Sequence, residues 1–408
     1  MPSDGAGQGA EKKNDDDVGV YVHLPWCERV CPYCDFAVLA TRRLEPDVEA
    51  RYVADLGREL EARAVDFAAR DLATIYFGGG TPGLFRPESI EALIQMIRDH
   101  FPGAPQETTL ELNPSTVESA RLPAFRAAGV DRLSIGVQSF DDGLLKRLGR
   151  AHRAEVVDGT LAAARAAGFD EISLDLIFAG PGQTLADLDG DLDRVIDFGP
   201  EHVSTYELTW EASTPFGRAL AAGQLEACDE DLAADMIEHV EARLERAGYE
   251  RYEISSYARP GHRARHNARY WQRAPVLGLG MGAHSTEMRG GDRPHGARRA
   301  NPRTLEAWRA GLMRDPGGIG EEERLSPAVA RGEAVFLALR QREGLDPARF
   351  AAEFGAPPRR FFATQIDRNR AAGWIEERAD GGLRLTPAGR LVADSVAEAF
   401  VAEVAEVD

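Results

Sequence analysis

The chain has 408 residues, 43% of them hydrophobic and 28% charged, with a formal net charge of −19. That is enough apolar material for a substantial core in a soluble globular protein, and an acidic balance that excludes non-specific binding to nucleic acid or to an acidic membrane surface. No apolar run approaches the roughly 18 residues of a membrane span, so the chain is not expected to be an integral membrane protein.

The N-terminal stretch "MPSDGAGQGAEKKNDDD" (1–17) is rich in Gly, Asp, Lys and Asn and lacks the apolar centre of a signal peptide. It reads as a disordered tail on a cytoplasmic protein. From Val18 onward short β-branched or aromatic runs alternate with amphipathic helical stretches, the pattern of a parallel α/β sheet. The predicted strands are 18–24, 74–80, 108–114, 132–139, 171–179 and 202–209. Six βα units fall short of the eight of a closed barrel, so an incomplete barrel over residues 18–250 is expected. Sites in such sheets lie at the carboxyl ends of the strands. Gly79, Gly80 and Thr81, Glu111 and Asn113, Gln138 and Ser139, and Asp175 fall there. Glu111, Gln138 and Asp175 stand inside otherwise apolar runs, where an unpaired polar group is costly, and so point to a polar ligand in a shared cavity.

Residues 251–324 read as a connecting segment. Its start is basic and aromatic within an acidic chain, with Arg259, Arg263, Arg265, Arg269 and Arg273 and the run "RHNARYWQ" at 265–272. Beyond 325 the pattern turns helical, then gives a short hairpin ("WIEE", "ADGG", "LRLT") and a last helix. Residues 325–408 are therefore expected to form a smaller, mainly helical, winged-helix-like domain, and the acidic balance of the chain argues against a DNA-binding role for it.

Three of the four cysteines, Cys27, Cys31 and Cys34, follow C-x3-C-x2-C; the fourth, Cys228, stands alone before a predicted helix. So few cysteines make no disulfide framework, and clustered thiols in a reducing compartment bind metal. A structural zinc site would need a fourth ligand, for which only His23 is near. A cubane of four irons takes one thiolate per iron, so three thiolates leave one iron open for chemistry.

With these residues the sequence resembles the radical S-adenosylmethionine (SAM) enzymes, whose hallmark is this loop after the first strand of a six-unit partial barrel. The resemblance implies a 4Fe-4S cluster on Cys27, Cys31 and Cys34, with SAM as exchangeable ligand of the fourth iron. An electron from the cluster can then cleave SAM to methionine and a 5′-deoxyadenosyl radical. It also implies a reducing electron donor, and Trp26, Tyr33 and Phe36 as an aromatic screen around the cluster. Further motifs narrow the likeness to the oxygen-independent coproporphyrinogen III oxidase-like family: "YVHLPWC", "GGGTP", "LELNP", "GVQSF", "LGRAH" and "SLDLIF". They carry SAM-binding roles onto Tyr21, Tyr33, Gly79, Gly80, Thr81, Glu111, Gln138, Arg150 and Asp175, with backbone N–H groups of the glycine loop facing the methionine end. The chain departs from the family after its fifth strand, where Ala179 and Gly180 precede Pro181 in place of Gly-Leu-Pro.

The oxidases of that family carry a further cysteine two positions after the third; here the position is Phe36. The run His266-Asn267-x-x-Tyr270-Trp271 instead resembles the signature of the family's heme chaperone branch. That likeness implies heme as cargo, an apo-hemoprotein acceptor, His266 as an axial ligand, Tyr270 and Trp271 as walls, and Arg265 or Arg269 on the propionates. A homodimer is one expected assembly. Three other readings stay open: a radical SAM enzyme acting on a porphyrin, a zinc-stabilised interaction protein, and, for the motif itself, His266 and Asn267 capping a turn while Tyr270 and Trp271 fill core.

Overall fold

The computed structural model describes residues 17–287 and 293–402. The expected tail lies outside the described residues except for Asp17, which opens the first strand and pairs with Arg269 at 2.8 Å.

Six parallel strands form the heart of the molecule: β1 (Asp17–Leu24), β2 (Asp71–Gly79), β3 (Glu107–Leu112), β4 (Arg132–Gln138), β5 (Glu171–Phe178) and β6 (His202–Glu207). Each is hydrogen-bonded to the next in chain order. The strands do not close on themselves, and β1 and β6 each pair outward to further strands, as expected for a partial barrel.

Alternation along the strands decides what the sheet does. In β4, Leu133, Ile135 and Val137 are fully buried in the main core, whereas Arg132, Ser134, Gly136 and Gln138 line an interior cavity. In β5, Ile172, Leu174 and Leu176 pack in the core while Ser173 and Asp175 face the cavity. A pleated strand sends successive side chains to opposite faces, so a polar residue every second position gives a polar well inside an apolar shell.

Residues 251–324, expected to connect, instead supply strands to both edges of the sheet. On one side β7 (Ser256–Ala258) lies antiparallel to β6. On the other, β8 (Val276–Leu279) runs parallel to β1, followed by antiparallel β9 (His284–Glu287), β10 (Ala297–Ala300) and β11 (Glu321–Arg324). These strands are three or four residues long, too short for a clear alternation, and β10 and β11 are charged as well ("ARRA", "EEER"). Ion pairs add to the backbone ladder: Glu287 on β9 takes Arg63 of the neighbouring helix at 2.8 Å and Arg299 on β10 at 2.7 Å.

The C-terminal unit has its own core around Val335, Phe350, Phe362, Ile366 and Phe400, with a two-stranded hairpin of Ile375–Glu377 and Leu383–Leu385. Among the described residues no helix is long and apolar enough to cross a membrane.

Candidate functional site

The loop after β1 is pinched at its base. Trp26–Cys27 pairs with Leu39–Ala40, and the Leu39 and Thr41 N–H groups donate to the Pro25 and Cys27 carbonyls at 2.8 Å. This closure presents Cys27, Cys31 and Cys34 as half-buried free thiols on one rim of the cavity, whose volume is about 1360 Å³. Burial pushes the Cys27 thiol up to about 11 and raises Cys34. Trp26 is buried against Tyr52 and Phe85, and Tyr33 packs on Phe216. Phe36 lines the cavity beside the cysteines and is 71% exposed.

The glycine loop supports this rim from below. The N–H groups of Gly80 and Thr81 donate to the carbonyls of Leu24 and Trp26 at 2.9 and 2.8 Å, and that of Gly79 to Glu111 at 3.1 Å. These donors, expected to face a ligand, are therefore used within the chain. A Cβ on Gly80 would come within 2.7 Å of the Pro25 and Trp26 carbonyl oxygens, so glycine there is what lets two backbones meet.

Inside the well stand the acids. Glu111 accepts from the Tyr76 hydroxyl at 2.7 Å, and burial raises its carboxyl to about 7. Asp175 accepts from Ser134 at 2.9 Å and Ser173 at 3.3 Å, and burial raises it to about 6. Tyr21 lines the cavity and shares a 3.1 Å hydrogen bond with His23, whose other nitrogen donates to the Ala37 carbonyl at 2.8 Å and ties down the cysteine loop. Gln138 lines the cavity at φ 67°, a strained left-handed conformation for a non-glycine residue. Arg150 bridges the two zones: it lies 3.6 Å from the Cys31 sulfur, donates to the Gly136 carbonyl at 2.9 Å and to Asn113, and keeps a buried Nε without a partner. In the departing fifth loop, Ala179 takes a φ of 56° and Gly180 N–H donates to Gln183.

The run 265–272 forms a short helix, Arg265–Trp271, that docks against β2 at the floor of the well. Its residues part company. His266 is fully buried, stacks on Tyr76 with centroids 5.1 Å apart, and has Thr74 at 2.8 Å from one ring nitrogen and Tyr270 at 3.4 Å from the other. Burial lowers its pKa to about 3. His266 is thus a neutral ring with a hydrogen-bond contact at each nitrogen, packed in the interior rather than capping a turn. Asn267 and Tyr270 do line the cavity. Trp271 meets the C-terminal unit, with the Arg340 guanidinium 5.7 Å from its ring centroid. Arg269 is held by Asp17 and the Pro275 carbonyl, and Arg265 donates to Gln106; neither, though expected on propionates, is among the residues lining the cavity.

Sequence reasoning missed Tyr76, Arg132, Ser134, Ser173, His202 and Ser204 in the well. Apart from Tyr76 on β2, their signal was present as polar residues at every second position of β4, β5 and β6.

Comparison with known proteins agrees with this layout. The radical SAM superfamily model matches residues 21–195, and the HemN C-terminal domain model matches residues 325–392. Coproporphyrinogen III oxidase (HemN) from Escherichia coli shares the fold with a TM-score of 0.80 at 22% identity, over 96% of this chain and 91% of that one. Fold and cysteine loop together define a radical SAM protein. Heme chaperone HemW of Escherichia coli K12 is 34% identical over 388 residues, covering 95% of this chain and 98% of its own. HemW of Mycobacterium tuberculosis H37Rv is 36% identical over 379 residues, covering 93% of each. The chain belongs to the HemW family of heme chaperones.

Proposed function

We propose that this chain is a cytoplasmic heme chaperone that carries a 4Fe-4S cluster on Cys27, Cys31 and Cys34, takes SAM as the exchangeable ligand of the fourth iron, and passes heme to an apo-hemoprotein. The observation that carries the reading is convergence. Three thiols and a polar well with Tyr21, Glu111, Gln138, Arg150 and Asp175 share one cavity of about 1360 Å³. That volume exceeds the ~300–1,000 Å³ usual for one small ligand, leaving room for a cofactor and a second molecule.

The residues present fit the cluster and SAM. Three free thiols suit a cubane with one open iron. The unpartnered Nε of Arg150 suits the carboxylate of SAM, and Glu111 and Asp175 offer acceptors for its amine and ribose hydroxyls. When bound, the cluster supplies a single electron at low potential, delivered by an external reductant. The chain's own residues do the rest: the pinched loop holds the thiols, the glycine loop braces it, and the acids orient the cofactor.

Anaerobic reconstitution tests this. Iron and sulfide near about four per chain are expected, together with delivery of intact heme to an apo-hemoprotein. A modified tetrapyrrole with stoichiometric 5′-deoxyadenosine would replace the chaperone by a radical enzyme acting on a porphyrin.

A further inference from the structure

The cavity does not end at the well. It continues past Tyr206 and Glu207 into a seam between the barrel and the C-terminal unit, where Arg251, Arg340 and Arg390 meet. Half-buried apolar side chains wall the seam: Ile237 from the helix Glu230–Arg246, Ile254 from the turn before β7, and Leu391 and Val392 from the C-terminal unit. A flat apolar ligand with acidic edge groups needs this combination of apolar faces and guanidinium corners.

The arginines carry more hydrogen-bonding capacity than the protein uses. Nε of Arg340 and Nε of Arg390 are both buried without a partner. An unmade hydrogen bond on a buried charged group is expensive, so two in one seam call for an explanation. Neighbouring carboxylates do not supply it. Glu241 is shared between Arg251, at 2.9 Å, and Arg390, at 2.8 Å. Asp394 pairs with Arg340, but its side chain is 83% exposed and its attraction is screened by water. Glu253 accepts from the Ser255 N–H, and burial raises both Glu253 and Glu207 toward their neutral forms.

We propose that this seam is the heme seat: the porphyrin lies against Ile237, Ile254, Leu391 and Val392, and its propionates meet Arg340 and Arg390. The inference rests on the heme reading above. It gives the C-terminal unit a task, since that unit supplies both propionate-binding arginines. Trp271 becomes a positioning residue, holding the Arg340 guanidinium at 5.7 Å from its ring while Phe336 holds it at 4.8 Å.

The experiment titrates the cluster-reconstituted full chain anaerobically with heme and with heme dimethyl ester, reading the Soret band. Heme is expected to bind at least about tenfold tighter than the ester, because charge-assisted hydrogen bonds are lost on esterification. In R340Q/R390Q that preference is expected to vanish. Because Arg390 also joins the two units through Glu241, Ile254→Trp serves as a second variant: it narrows the apolar wall with both arginines in place and should weaken heme and ester alike. A preference undiminished in R340Q/R390Q, or heme affinity unchanged in Ile254→Trp, overturns the seat while leaving the chaperone reading intact. A wild-type chain that binds no heme overturns both.

Discussion

The cysteine loop and the floor helix are both short motifs, and the structure treats them in opposite ways. On the loop, three thiols stand half-buried with no disulfide partner, and hydrogen bonds at the loop's base hold them on the cavity rim. On the floor helix, His266, Arg265 and Arg269 are each used by neighbours: Thr74 and Tyr270, Gln106, and Asp17 with the Pro275 carbonyl. The difference separates residues kept for a ligand from residues that build its container. A neutral imidazole with both nitrogens engaged has no further bond to offer, whereas Glu111 and Asp175 keep carboxylate lone pairs beyond those their protein donors use.

Replacing residues on the two sides of this contrast should therefore give different kinds of loss. The largest effect is expected for Cys31→Ser, which should abolish the brown charge-transfer absorption of the reconstituted cluster; an unchanged spectrum would reject the cluster assignment. His266→Ala should instead lower the stability of the metal-free chain by about 3–4 kcal/mol, through a lost buried ring and two orphaned hydroxyls. Denaturant unfolding reads this, and a midpoint equal to wild type would return the helix to the ligand-binding side of the comparison.

A pH experiment sharpens the contrast within the well. Glu111 is raised from 4.5 to about 7 by burial, so the folded chain retains a proton that the unfolded chain releases. Its contribution to stability is therefore lost as pH rises from about 4.5 toward 7, by up to about 3 kcal/mol. In Glu111→Gln the metal-free chain should lose that descent, and parallel stability curves for variant and wild type would show that Glu111 is not the titrating group. The smallest effect is expected for Trp271→Phe. Its buried Nε1 has no partner, so the change should cost less than about 1 kcal/mol in thermal unfolding, and a larger cost would assign Trp271 to the core.

Much of the site was legible because its signals are local. The C-x3-C-x2-C spacing needs only eight consecutive positions, and Glu111 and Asp175 betray themselves as acids within apolar strands. The rest of the well was less visible because serine, histidine and arginine at alternate positions also describe an ordinary solvent-facing strand. Only the enclosing sheet turns that face inward. The edge strands were hidden for another reason: β10 and β11 are four-residue runs of mostly charged residues, and such residues individually suggest loops.

By itself the sequence determined the α/β class, the six-unit partial barrel, the cysteine loop and the acids that face its cavity. Each depends on periodicity or spacing within one segment, which local backbone geometry translates directly into a face or a loop. The tertiary structure decided which polar groups face the cavity and which face one another. His266 and Thr74 lie 192 positions apart, and Arg340 meets the cavity only because a second unit closes against the barrel. Hydrogen-bond satisfaction is a property of neighbours in space, and a motif read along the chain does not contain them.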